Sequence, residues 1–184
     1  MIYLTSDFHF CHGKEFVYKP RGFDCIYEMN EAIVHNWNRI VKSDDEAYIL
    51  GDVMLNNNVE GLRLLKSLRG NIHIIIGNHD TDARVELYKG CWNVVEVCYA
   101  TIIRYGKYRC YASHYPTFTG NMGKDTLKKN LLNFYGHTHQ QTNFYNDIPF
   151  MYHVGVDSHD CQPVSIEYAI SDMELKFEEC KAML

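Results

Sequence analysis

The chain has no CxxC pair, and its seven cysteines (Cys11, Cys25, Cys91, Cys98, Cys110, Cys161 and Cys180) are scattered and odd in number. That pattern argues against a sulfur-built zinc site or a disulfide framework and for reduced thiols in a cytoplasmic protein. There is no apolar run of membrane-spanning length, so no membrane segment is expected. The opening MIYLTSDFHF carries no basic leader, so no signal peptide is expected. Basic charge is also scarce: 18 Lys and Arg stand against 23 Asp and Glu, for a net charge of −5. A long nucleic-acid footprint is therefore not expected, and the Lys128-Lys129 pair reads as a solvated face. Repeats, low-complexity stretches and obvious linkers are missing too. A length of 184 residues at 46% hydrophobic content fits one globular domain over 1–184.

What the chain has in excess is histidine, ten in all, the residue most used as a metal ligand and as an acid–base group near neutral pH. Many of them sit at the ends of short apolar runs. MIYLTSDFH ends in Asp7 and His9, EAYILGD in Asp52, NIHIIIGNHD in Asn78 and His79, YRCYASH in His114, and LNFYGHTH in His137 and His139. Each run has the length of a buried strand. Gly51, Gly77 and Gly136 come just before the polar group in three of them, where glycine permits a sharp turn and close backbone approach. Helical spacing fills the intervals: Met29, Ile33, Trp37, Ile40 and Val41 within 26–42, Leu62, Leu64, Leu65 and Leu68 within 59–68, and Ile166, Ile170, Met173 and Phe177 after Ser165. Strands alternating with helices predict an α/β fold, and such folds gather ligands at the carboxyl ends of their strands.

The expected rim holds Asp7, His9, Asp52, Asn78, His114, His137 and His139. These are oxygen and nitrogen donors without a thiolate, which suits manganese, iron, nickel or zinc better than calcium. Seven ligands are too many for one ion with an open position and suit two ions sharing a carboxylate. Asp7 and His9 are two apart, as are His137 and His139, so on a strand each pair would point to one side. Two divalent cations outweigh two carboxylates and a hydroxide, leaving a site attractive to phosphate esters.

The series D-x-H (Asp7, His9), G-D (Asp52), G-N-H-D (Gly77 to Asp80), S-H (His114) and G-H-x-H (Gly136 to His139) resembles the calcineurin-like metallophosphoesterase family in both order and spacing. The ending HVGVDSHDCQPVS is similar to a small bacterial and phage-type branch. The resemblance implies a four-layer α/β/β/α sandwich with mixed sheets and its site at the strand C-terminal rim. It implies a metal-dependent phosphoric ester hydrolase using two divalent transition-metal ions, manganese first, with iron, nickel or zinc as alternatives. Asp7, His9 and His139 would hold one ion, Asn78, His114 and His137 the other, and Asp52 would bridge them. A metal-bound hydroxide would attack phosphorus, with His79 as general acid. Diesters are favoured over monoesters, and a nucleotide or short oligonucleotide over a long duplex. A nuclease subunit working in a complex and, less favoured, a protein-binding scaffold are the alternatives. A monomer or homodimer is expected.

One position departs from the family pattern. Many members carry an acid three residues after the G-D aspartate to orient the catalytic histidine, and this chain has Leu55 there. Asp80 is the expected substitute, a catalytic role weighed against capping a helix near Thr81. His12, Lys14 and Arg21, in the Cys11–Cys25 loop, are candidate substrate contacts. The loop from Thr117 to Asn130 is a second candidate wall. His35 and His73 read as structural, and no motif claims Asp157 or His159.

Overall fold

Each apolar run ahead of a polar tip forms a strand in the computed structural model, which describes residues 1–119 and 126–183. In chain order the strands are β1 (Ile2–Thr5), β2 (Glu46–Leu50), β3 (Asn71–Ile75), β4 (Val94–Cys98), β5 (Ala100–Tyr105), β6 (Tyr108–Ser113), β7 (Leu131–Tyr135), β8 (Met151–His153) and β9 (Val164–Ser165). The helices are α1 (Glu15–Tyr18), α2 (Ile26–Ile40), α3 (Asn58–Ser67), α4 (Asp82–Lys89) and α5 (Ile166–Ala182). Residues 120–125 of the expected Thr117–Asn130 wall lie outside the described residues.

Two mixed sheets result. The first runs β4-β3-β2-β1-β9, parallel except for β9 against β1. The second runs β5-β6-β7-β8, with an antiparallel β5–β6 hairpin followed by parallel pairs. Side chains alternate across a strand, and the two faces of the first sheet feed two cores. Ala47, Ile49, Ile72 and Ile74 pack with Met29, Ile33 and Trp37 of α2 and Leu64 and Leu65 of α3. Leu4, Leu50 and Ile75 pack on the other side with Cys110, Ala112, Leu132 and Phe134 of the second sheet, and α5 adds Ile166, Ala169, Ile170 and Met173. The architecture is the α/β/β/α sandwich with mixed sheets. Among the described residues no helix is long and apolar enough to cross a membrane.

The helices follow their sequence signals. Met29, Ile33 and Trp37 recur every fourth residue, all at most 1% exposed, and burying side chains of this size is worth about 2 kcal/mol each. The Trp37 indole N–H also finds a partner, the Arg69 carbonyl at 2.9 Å. Helix α3 starts at Asn57, whose side chain accepts from the Glu60 N–H, and α5 at Ser165, whose hydroxyl accepts from the Tyr168 N–H; both are N-caps of the favoured residue types.

Parallel pairing brings the carboxyl ends of β1, β2 and β3 to one edge of the first sheet, and β6, β7 and β8 end together in the second. The Ser6–Gly155 bridge ties the two rims, as does the Val156 N–H donating to the Ser6 carbonyl. At this rim the strand reasoning for the D-x-H and H-x-H pairs needs correction. β1 ends at Thr5, and Asp7, His9, Asp52, His137 and His139 all have left-handed backbones, with φ of 58°, 51°, 55°, 68° and 49°. The two-residue spacing arises from alternating left-handed residues in a loop, not from the pleat of a strand. Such φ values are uncommon outside glycine and cluster at functional sites.

Candidate metal centre

The glycines that precede the polar tips let three loops interpenetrate. A Cβ at Gly77 would sit 2.3 Å from Asp52 Oδ1, and one at Gly136 would sit 2.5 Å from Asp7 Oδ2. At Gly51, where φ is +89°, it would sit 2.4 Å from His114 Nδ1. A methyl group at any of the three would push a candidate ligand off its place.

The seven candidate ligands come together at this rim. Asp7, His9 and His139 place donor atoms within 4.8 Å of one another, and so do Asp7, Asp52 and His114. Asp52 Oδ2 lies 3.6 Å from His9 Nε2 and 3.7 Å from His114 Nε2, between the two groups. Asn78 Oδ1 lies 2.8 Å from both His114 Nε2 and His137 Nδ1. His9 Nε2 and His139 Nε2 are 3.2 Å apart. Imidazole nitrogens and carboxylate oxygens that face one another at such distances fit a divalent cation. His114 is set up for it: its Nδ1 lies 2.8 Å from the Leu50 carbonyl, so that nitrogen carries the proton and Nε2 is left as donor.

Burial shapes the charge states. It is the main reason His9 is pushed down to about 2, with His139, Arg21, His12 and His79 adding to it, so this imidazole is neutral. Burial pushes the Asp52 carboxyl up from its ordinary value. Burial and neighbouring His114 lower His137. For His139 burial works to lower it, but the Asp157 hydrogen bond and the charges of Asp7 and Asp157 outweigh it and hold it above the usual range.

The other candidates separate. The His79 ring is 43% exposed, with Nε2 3.9 Å from Asp52 Oδ2, while its backbone N–H donates to Asp52 Oδ1 at 2.9 Å. Asp80 does neither of the two jobs expected of it. Its Oδ2 accepts from the N–H groups of Asp52 (2.8 Å) and Gly77 (2.9 Å), and its Oδ1 from the Tyr88 hydroxyl (2.7 Å) and the Val53 N–H (3.2 Å). Both oxygens are thus committed away from the His79 ring, and the N-cap of α4 is Thr81. Arg21 is likewise not a substrate contact. Its side chain is 2% exposed and makes a two-pronged pair with Asp157, Nε to Oδ1 at 2.8 Å and Nη2 to Oδ2 at 2.9 Å. Lys14 is exposed at the start of α1. His12 does reach the site: with Phe16, Val17, Pro20 and Gln141 it walls a cavity of about 420 Å³ that opens onto His9, His79 and His139.

Asp157 is the residue that motif reading passed over. Its Oδ2 lies 2.8 Å from His139 Nδ1. Burial alone would raise its carboxyl, but the bonds to His139 and Arg21 win and hold it well below the usual carboxylate range. The available signal was its position, an acid following the apolar run FMYHVGV in the same way as Asp7 and Asp52 follow theirs.

Known proteins share this fold. The profile of the calcineurin-like phosphoesterase superfamily domain matches residues 1–174. An uncharacterized protein of Methanocaldococcus jannaschii is 30% identical, over 94% of this chain and 91% of its own. A protein of unknown function from Aquifex aeolicus, solved by crystallography, superposes with a TM-score of 0.72 at 26% identity, covering 94% of this chain and 98% of that one. The phosphoesterase Yfce of E. coli shares the fold at a TM-score of 0.51 and 16% identity, over 90% of this chain and 81% of its own. The extent of the profile match places this chain in the calcineurin-like phosphoesterase superfamily.

Proposed function

We propose that this phosphoesterase hydrolyses phosphodiesters at a dinuclear metal centre. The observation that carries the reading is Asp52 Oδ2, set 3.6 and 3.7 Å from one imidazole nitrogen of each ligand group. Asp7, His9 and His139 would hold one ion, Asn78, His114 and His137 the other, with Asp52 shared. Two divalent ions, manganese first and iron, nickel or zinc as alternatives, would supply Lewis acidity and neutralise charge at phosphorus. Asn78 contributes an oxygen without adding negative charge to a site for anions. His79, whose ring stands in solvent beside Asp52, gives its proton to the departing oxygen.

The preference for diesters follows from cation supply. The arginine at the centre, Arg21, is committed to Asp157 and to the carbonyls of Asp7 and Phe8. That guanidinium is thus not free to pair with a monoester dianion, whereas a diester needs less charge. The walls of the cavity, Phe16, His12 and Gln141 among them, suit a small uncharged substituent of nucleoside size. A protein-binding scaffold on this fold needs none of these donors, and their convergence at one rim favours the hydrolase reading.

The test uses chelated protein and bis-aryl and mono-aryl phosphates. Hydrolysis should be lost on chelation, return with Mn²⁺, and be faster for the diester; undiminished rates in the chelated protein would sink the proposal. For His79→Ala, rates should fall about 100-fold with poor leaving groups and much less with good ones. Equal losses across a leaving-group series would remove the acid role from His79.

A further inference from the structure

Arg21 and Asp157 are 136 residues apart and form a buried ion pair beside the centre, with side chains 2% and 6% exposed. An isolated buried ion pair gains little for stability, because desolvation offsets the attraction. The rest of the hydrogen bonding shows where this pair acts. Asp157 Oδ2 faces His139 Nδ1 at 2.8 Å. Arg21 Nη2 donates to the Asp7 carbonyl at 2.9 Å, and Nη1 to the Phe8 carbonyl at 3.2 Å. One guanidinium thus supports two of the three residues assigned to the first ion, Asp7 through its backbone and His139 through Asp157.

We infer that Arg21 and Asp157 are positioning residues for His139, fixing its tautomer and so favouring the first ion over the second; the inference rests on the metal-centre reading above. Two partners compete for Nδ1. Arg21 Nη2, at 3.4 Å, would need a bare nitrogen, while Asp157 Oδ2 is closer and only accepts. A bare Nδ1 would put two lone pairs 2.8 Å apart, so Nδ1 carries the proton. Nε2 is then left as the donor, 3.2 Å from His9 Nε2 and 3.9 Å from Asp7 Oδ1. A carboxylate behind a ligating imidazole also makes it a stronger donor. Among the described residues the second group shows no such carboxylate, and His114 Nδ1 rests on the neutral Leu50 carbonyl.

Calorimetric titration of Mn²⁺ into the chelated full-length chain tests this. Wild type should bind in two steps. Asp157→Asn should weaken the tighter step by about 10- to 100-fold, the usual effect of losing such a partner, and leave the weaker step nearly unchanged. Asp157→Asn strands a buried guanidinium, so the double variant Arg21→Gln/Asp157→Asn, which removes both charges, should show the same selective loss. A lower melting temperature with both metal steps unchanged, or both weakened alike, would mean the pair only holds the fold and would overturn the inference. Nitrogen-15 NMR of wild-type protein without metal gives a readout free of any variant: His139 should be the Nδ1–H tautomer above pH 8, and an Nε2–H tautomer would overturn it. A wild type that takes up no metal would instead overturn the centre itself.

Discussion

Asp52→Asn is expected to lower the rate of diester hydrolysis at saturating Mn²⁺ by about a thousandfold, about 4 kcal/mol of barrier, while leaving the fold intact. The substitution keeps the shape and the acceptor for the His79 N–H, which Asp52 Oδ1 provides at 2.9 Å. What changes is the atom between the two ligand groups, where Oδ2 faces His9 Nε2 and His114 Nε2. An amide nitrogen there turns two hydrogens toward the place where cations are to sit. Burial already pushes the Asp52 carboxyl up, so the anion is costly in this pocket unless a cation accompanies it. Removing that anion should therefore leave the metal-free protein at least as stable as wild type. Initial rates and a circular-dichroism melt on the same sample separate the two effects. A variant that retains full activity would show that the centre does not depend on this carboxylate.

Asp80→Ala has its large effect on stability. One carboxylate accepts from the backbones of Asp52, Val53 and Gly77 and from the Tyr88 hydroxyl. It joins the tips of β2 and β3 and anchors α4 to both. Alanine leaves four buried donors without a partner, each costing about 1–3 kcal/mol unless water enters. A net loss of about 4 kcal/mol is expected, a large share of the 5–15 kcal/mol that holds a typical domain together. Urea unfolding measures it directly, and a loss below about 1 kcal/mol would show that the carboxylate is not the clamp its four bonds describe. Activity should fall with it, since Asp52 and Gly77 are held in register by the same group.

The strands that carry chemistry were legible because each combined an apolar run, a glycine in three cases, and a polar tip. All five runs are strands, the helices at 26–40 and 58–67 lie within two residues of their expected bounds, and the helix at 166–182 starts directly after Ser165. The seven donors converge as their pattern foretold. What stayed hidden was conformation and partnership. Nothing in D-x-H distinguishes a pleated strand from alternating left-handed residues, since Asp and His tolerate either. Arg21 read as a free cation because its partner lies 136 residues away, and pairing at that range leaves no periodic trace. Asp80 read as catalytic because it adjoins His79, but its oxygens turn back toward the β2 tip. Short strands such as β8 and β9, with 3 and 2 residues, are too brief to show alternation.

The left-handed backbone at Asp7, His9, Asp52, His137 and His139 has a consequence for how this chain could change. Each such residue costs about 1 kcal/mol or more relative to an ordinary conformation, and glycine would relieve it. Selection for folding alone would therefore favour glycine most at the histidines, because Asp7 and Asp52 also accept the backbone N–H groups of His137 and His79, which glycine would leave unpaired. The same positions are where stabilising a variant and keeping its chemistry pull in opposite directions. A stability screen run without an activity screen would select against these histidines.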